Sequence, residues 1–152
     1  MEKIIMKNRI YPTKKAVPYH FLEHANELVM DRSNAEASEV FVTVIKPGKS
    51  TPLHKHDDTE QIYYVLEGSG KVERGQNRRV QQTMNPGEVV HIPRGSYHKI
   101  SCLGQKTLKY LVVDVFPGGR PRNEPTWHSH AEAVAKWLGG PLQKKGRGFA
   151  LV

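Results

Sequence analysis

The chain is poor in cysteine, in aromatic residues and in long apolar runs. A single cysteine among 152 residues excludes an internal disulfide and is typical of proteins from a reducing compartment. Aromatic residues make up 8% of the chain, and no segment approaches the roughly 20 apolar residues that a membrane-spanning helix needs. Residues 1–15 carry several charges and lack the apolar run of a signal peptide. We therefore expect a cytoplasmic protein that does not enter a membrane.

Acidic residues are also few, because 15 aspartates and glutamates face 23 lysines and arginines, for a net charge of +8. Such a charge attracts anions, nucleic acids among them. The basic residues are scattered, however, and their densest groups lack the interleaved aromatic side chains of a base-stacking surface. These groups are residues 3–15, 74–79 and 144–147. We expect a small anionic molecule, and not a nucleic acid, as the partner.

Short β-branched and aromatic segments, separated by turn residues, occupy the middle of the chain. This pattern is typical of an all-β sandwich or barrel. The clearest predicted strands are residues 39–46, 61–67, 89–92 and 107–116. A length of 152 residues favours one domain, 1–152. We divide it into an N-terminal arm (1–38), a barrel core (about 39–116) and a C-terminal segment of loop, helix and basic tail (117–152).

The C-terminal segment contains a short amphipathic helix. Ser129 and Glu132 have the spacing of a capping box, which predicts that the helix begins after Ser129. Apolar residues then recur at the spacing of one helix face: Ala131, Val134, Ala135 and Leu138. Gly139 and Gly140 end it. We expect the basic tail that follows to be mobile.

Three histidines stand at suggestive positions, His54, His56 and His98. Residues two apart on a strand point to the same face, so His54 and His56 can present their imidazoles side by side. Apolar, β-branched segments on both sides of this pair favour a strand there. Imidazoles bind iron, manganese, nickel, zinc and copper.

The stretch that holds these histidines resembles the two motifs of the cupin superfamily. The first motif is G-x5-H-x-H-x(3 or 4)-E-x6-G and the second is G-x5-P-x-G-x2-H-x3-N. The matching residues are Gly48, His54, His56 and Gly68 in the first, and Gly87, Pro93, Gly95 and His98 in the second. The resemblance implies a double-stranded β-helix (a jelly-roll barrel) with a short C-terminal α-helix. It also implies a homodimer and one divalent transition metal held by the three histidines and a fourth residue.

The fourth ligand is where the sequence departs from the family pattern. Gln61 stands six residues before Gly68, at the position of the motif glutamate, and Glu60 is its neighbour. Neighbours on a strand face opposite ways, so only one of them can face the metal. The glycine spacing favours Gln61, and Glu60 remains the alternative. The motif asparagine is also replaced, by Cys102.

The nature of this ligand affects the expected substrate. Three neutral histidines and a glutamine leave the +2 charge of a metal uncompensated, which favours an anionic, bidentate substrate. The resemblance therefore implies a metal-dependent enzyme that acts on a keto, hydroxy or sugar acid or on an enediol, by isomerase, lyase or dioxygenase chemistry. The alternative is a non-catalytic barrel that binds or senses a metal or a small ligand.

Three further residues are candidates for the pocket. Tyr63 shares a strand face with Gln61, so it lines the pocket if Gln61 does. His91 lies two residues before Pro93 and is a candidate acid or base, as is Tyr63. Arg94 lies in a turn at the expected barrel mouth, where it could hold a carboxylate. His20 and His24 show no partner pattern, and His128 and His130 form a second H-x-H pair at a helix start, where this spacing does not bring the rings together.

Overall fold

The computed structural model describes residues 9–151, which form eleven strands and one α-helix, α1 (Trp127–Trp137). The strands are β1 (Val17–His20), β2 (His24–Met30), β3 (Ser38–Ile45), β4 (Glu60–Glu67), β5 (Ser69–Arg74), β6 (Val80–Met84), β7 (Val89–Ile92), β8 (His98–Leu103), β9 (Leu108–Val115), β10 (Leu142–Lys145) and β11 (Gly148–Leu151). This content confirms the predicted all-β architecture with one C-terminal helix.

The strands form two sheets with a shared core. The larger sheet has the order β10-β11-β1-β2-β3-β9-β4-β7, and the smaller one has the order β6-β5-β8. Every pair is antiparallel except β1 with β11. Tyr63 and Val65 of the larger sheet and Val72 and Ile100 of the smaller one belong to one buried cluster. The core therefore lies between the sheets.

The inner faces of β4 and β9 follow from strict alternation. On β9, the residues from Leu108 to Asp114 alternate between buried and half-buried. On β4, Gln61, Tyr63 and Val65 are buried, whereas Tyr64 is exposed. Because side chains alternate between faces, the register of β4 against β9 decides which polar residues meet inside.

The arm and the tail are both part of the larger sheet. Strand β2 pairs with β3, and β1 pairs with both β2 and β11. The expectation of a mobile basic tail is wrong, because β10 and β11 form a hairpin. Gly148 of this hairpin packs against the Pro18 backbone. Residues 1–8 of the predicted arm lie outside the described residues.

Helix α1 begins one turn earlier than the sequence predicts. Thr126 is the N-cap: its side-chain oxygen accepts a hydrogen bond from the Ser129 amide, and the Ser129 hydroxyl oxygen accepts one from the Thr126 amide. Ser129 is therefore the third residue of a capping box, not its first. The apolar stripe is placed as predicted, with Ala131 and Ala135 fully buried.

Among the described residues, no helix has the length and apolarity to cross a membrane.

Candidate metal centre and cavity

The three motif histidines lie together. Their potential ligand atoms are within 4.8 Å of one another, which makes them a possible metal-binding group. The ring centroids of His54 and His98 are 4.3 Å apart, and those of His54 and His56 are 4.9 Å apart. Backbone hydrogen bonds place the rings: the His98 amide donates to the His54 carbonyl at 2.8 Å, and the His54 amide donates back at 3.1 Å.

The segment that carries His54 and His56 is extended but is not the regular strand that the sequence predicts. It pairs with β8 only through isolated bridges, Ser50 with Ser101 and His54 with His98. Pro52 lies between these bridges and has no amide hydrogen to donate to a ladder. The two imidazoles share one side of the segment even so, since both belong to the possible metal-binding group.

Hydrogen bonds determine the tautomers of two of these rings. The Nδ1–H of His54 donates to the Pro52 carbonyl at 2.7 Å, and the Nδ1–H of His98 donates to the Ser96 carbonyl at 2.8 Å. Each bond leaves Nε2 with a free lone pair, which is the arrangement found in metal-bound histidines. The Nε2 atom of His98 is buried and has no hydrogen-bond partner within the described part of the chain.

Burial keeps all three rings neutral. It lowers the pKa of His98 to about 3, with the charge of His54 as a further cause. Burial also lowers the pKa of His54, and it holds the pKa of His56 well below its usual value. Neutral imidazoles are the protonation state that binds a metal. The donor set and the unpartnered Nε2 of His98 therefore fit a divalent transition metal.

Gln61 and Glu60 point to opposite faces of β4. Gln61 is buried on the inner face of β4 and lines the same cavity as His54 and His56. Glu60 lies on the outer face, where its carboxylate pairs with the imidazole of His91 at 2.9 Å.

Two predicted pocket residues lie elsewhere. His91 is exposed on the outer face of β7 and pairs with Glu60, so the expectation that it faces the cavity as an acid or base is wrong. In the pairing of β4 with β7, His91 is opposite Ile62, so His91 lies on the side of the sheet away from Gln61. Arg94 is exposed in its turn and does not line the cavity.

A buried chain of hydrogen bonds holds Gln61. Its amide nitrogen donates to the Asp114 carboxyl group at 2.8 Å, and its amide oxygen accepts a hydrogen bond from the Tyr63 hydroxyl group, also at 2.8 Å. Burial and the hydrogen bond to Glu39 raise the pKa of Asp114 well above its usual range, so Asp114 keeps its proton. Glu39 in turn accepts two hydrogen bonds from Arg32, at 2.7 and 2.8 Å.

These hydrogen bonds explain why a glutamine suits position 61. An amide can donate to Asp114 and accept from Tyr63 at the same time, whereas a carboxylate has no hydrogen to donate. Tyr63 is nearly inaccessible, and burial raises the pKa of its phenol well above the usual value. Tyr63 also lines the cavity, on the strand face it shares with Gln61, and its hydroxyl hydrogen is directed to the Gln61 amide oxygen.

His54 and His56 of the histidine group border a cavity of about 450 Å³. Its walls combine aromatic and polar side chains, and α1 covers one side. The aromatic lining residues are Phe41, Tyr63, Tyr97, Tyr110, Trp127 and Trp137. Tyr97 lies in the turn before β8 and lines the cavity as well. Lys55 reaches this region as well, although its ammonium group pairs with Asp57 at 3.1 Å.

Two cavity histidines were not identified from the sequence. His24 begins β2 and stacks on Phe21, with ring centroids 5.3 Å apart. His130 lies on α1, and its Nδ1 is 2.6 Å from a carboxylate oxygen of Glu124. His24 has no spacing partner, the H-x-H spacing of His128 and His130 does not converge on a helix, and each cavity histidine reaches the site through a distant element of the fold.

Known proteins resemble this chain over its central part. Residues 41–114 match the family model of a cupin domain. An uncharacterised protein of Methanocaldococcus jannaschii is 37% identical over 74 residues, 49% of this chain and 57% of that protein. An oxalate-binding protein of Thermotoga maritima is 33% identical over 70 residues, 45% of this chain and 54% of that protein. The chain thus spans about half the length of these curated relatives.

Solved structures extend the likeness to most of the chain. The polyketide cyclase RemF from Streptomyces resistomycificus is 26% identical and superimposes with a TM-score of 0.62, over 77% of this chain and 86% of that chain. The family match covers the histidine group, and the structural match covers the double-stranded β-helix that positions it. The chain therefore belongs to the cupin superfamily.

Proposed function

We propose that this protein is a metal-dependent cupin enzyme whose substrate binds through adjacent oxygen atoms. The observation that carries the proposal is the group of three neutral imidazoles beside the cavity, with the buried Nε2 of His98 unpartnered. His54, His56 and His98 would hold one divalent metal, and Gln61 would be a fourth ligand through its amide oxygen. A metal bound there supplies Lewis-acid polarisation of the substrate oxygens.

The charge of the site supports an anionic group on the substrate. The ligand set contributes no negative charge, and Asp114 behind Gln61 is protonated. The +2 charge of a metal would therefore be balanced by the substrate, for example by a carboxylate with a neighbouring hydroxyl or keto oxygen, or by an enediolate. This chemistry covers the isomerase, lyase and dioxygenase reactions that occur in the fold.

The walls of the cavity support an apolar or unsaturated body on the same substrate. A cavity of about 450 Å³ has room for a molecule larger than a two-carbon acid. Aromatic walls would exclude water and strengthen the electrostatic interactions of the oxygen-binding end. The likeness to a polyketide cyclase supports such a substrate and the assignment as an enzyme.

A second function, a binding barrel without catalysis, is supported by a different observation. The relative from Thermotoga maritima is named an oxalate-binding protein. In that case the same histidines would hold a metal and its anion, and no substrate would be converted.

Metal content tests the proposal. We expect about one equivalent of metal per chain after purification or after reconstitution with zinc, manganese, nickel or iron, and we expect His54→Ala to lose it. Oxygen uptake with the iron form would favour dioxygenase chemistry, and its absence would favour isomerase or lyase chemistry. Failure to bind any of these metals would refute the enzyme and leave a metal-free binding barrel.

A further inference from the structure

A histidine–carboxylate pair lines the same cavity as Gln61 of β4. His130 is in the first turn of α1 and lines the cavity together with Glu124, from the loop before the helix. The Nδ1 of His130 is 2.6 Å from the Glu124 carboxylate. Side-chain exposures of 22% and 29% show that both groups are sheltered but reachable from the cavity.

Arg32 holds the carboxylate side of this pair. Its guanidinium donates to the Glu124 backbone carbonyl at 3.0 Å and lies 3.9 Å from the Glu124 carboxylate. The same guanidinium binds Glu39, and Arg32 is only 2% exposed. The pair is therefore anchored to the rigid core. The hydrogen bond from His130 lowers the pKa of Glu124, with the positive charge of Arg32 as a further cause, so Glu124 is ionised.

The pair and two histidines of the candidate metal centre border the same cavity. His54 and His56 line the same cavity, and a charge on His130 lowers the pKa of both. The ring of Trp127 lies 5.5 Å from that of His130 and supports one of its faces. Besides tyrosines, the charged and titratable groups that line this cavity with His130 are His24, His54, Lys55, His56, Asp114 and Glu124, and Arg32 lies behind Glu124. A substrate held at the metal centre would share this cavity with His130.

We propose that His130 is the general acid–base residue of this site, with Glu124 and Arg32 as positioning residues. The inference rests on the proposed function. With Nδ1–H hydrogen-bonded to Glu124, Nε2 is the ring nitrogen that exchanges a proton with the substrate. In the proton transfer, an O–H or C–H bond of the substrate breaks, its electron pair stays on the substrate, and an N–H bond forms on Nε2. The resulting imidazolium is stabilised by Glu124, and the proton returns to the product.

Calorimetry on the zinc-loaded protein with catechol tests this role without requiring turnover. Catechol has adjacent oxygens and an unsaturated ring, and like tyrosine it keeps its protons at pH 7.5, so chelation releases one. Titrations in buffers of different ionisation enthalpy count the protons that reach the buffer. If His130 accepts the proton, the wild type should release almost none, and His130→Gln should release about one more per catechol. Glu124→Gln should release an intermediate number.

The outer face of the barrel offers a matched control. His91 also pairs with a glutamate, at 2.9 Å, but it lies outside the cavity, so His91→Gln should match the wild type. Equal proton release by wild type and His130→Gln, or no binding of catechol to the loaded protein, would overturn the inference and leave the metal centre standing. Failure to load zinc would instead refute the proposed function. Glu124→Gln keeps the imidazole and serves as the second variant if His130→Gln does not fold.

Discussion

The pH dependence of stability should change in a defined way when His24 is replaced. Burial, assisted by the charge of His54, lowers the pKa of His24 to about 4. Its Nδ1 is buried without a hydrogen-bond partner in the described part of the chain. A histidine in the unfolded chain titrates near pH 6.5. The stability that neutral His24 contributes is therefore present above pH 6.5 and is lost as the pH falls from there towards 4.

The size of this loss follows from proton linkage. With pKa values of about 6.5 unfolded and about 4 folded, lowering the pH from 7.5 to 5.0 costs about 2 kcal/mol of unfolding free energy. His24→Gln removes this titration, whatever it does to stability at neutral pH. The buried, protonated Asp114 responds to pH in the opposite sense. The comparison must therefore be between variant and wild type over the same pH interval.

Urea unfolding of the metal-free protein at the two pH values measures the effect. The loss of stability between pH 7.5 and 5.0 should be about 2 kcal/mol smaller in His24→Gln than in the wild type. At an m-value of about 2 kcal/mol/M, this corresponds to a difference of about 1 M in how far the urea midpoint moves. His91→Gln, with its exposed ring, is the control and should respond like the wild type. An identical response in His24→Gln would refute the reasoning.

Three further variants test the buried hydrogen bonds behind Gln61 and the tight backbone contact at Gly68. Arg32→Leu leaves the buried Glu39 carboxylate without its cation, so the free energy of unfolding in urea should fall by about 3–5 kcal/mol. A fall of less than about 1 kcal/mol would contradict the claim that Arg32 compensates this buried charge. Gln61→Glu places a second carboxyl group against Asp114. The free energy of unfolding should therefore fall by about 1–3 kcal/mol at pH 8 and by less at pH 5. Equal losses at both pH values would contradict this reasoning. Gly68→Ala places a Cβ 2.5 Å from a backbone oxygen, while Gly104→Ala has almost the same φ and open space, so thermal unfolding should show Gly68→Ala to be the less stable of the two.

The sequence predicts the barrel and the histidine group well because both depend on local signals. Strands such as β4 and β9 follow from β-branched and aromatic runs between turn residues. The spacing of His54, His56 and His98 predicts their meeting because it matches a motif whose fold brings them together. Local alternation did not decide between Gln61 and Glu60, since both faces of β4 carry apolar residues. The register against β9, which places Asp114 opposite Gln61, decides which of them faces inward.

The rest of the site depends on contacts between distant parts of the chain. His24 reaches the cavity because β2 pairs with β3, and His130 reaches it because α1 packs over the barrel. The hydrogen bonds of Arg32 to Glu39 and Glu124 likewise join separate segments. No local pattern marks such residues. The homodimer, the anionic substrate and the cytoplasmic location stay predictions.

The most direct test of the central claim is X-ray absorption at the zinc edge of the reconstituted protein. We expect three nitrogen neighbours at about 2.0–2.1 Å with the scattering pattern of imidazole rings. In His98→Ala the imidazole contribution should fall by a third, or the zinc should be lost. A zinc spectrum without imidazole scattering, or one that is unchanged in His98→Ala, would contradict a metal centre formed by His54, His56 and His98.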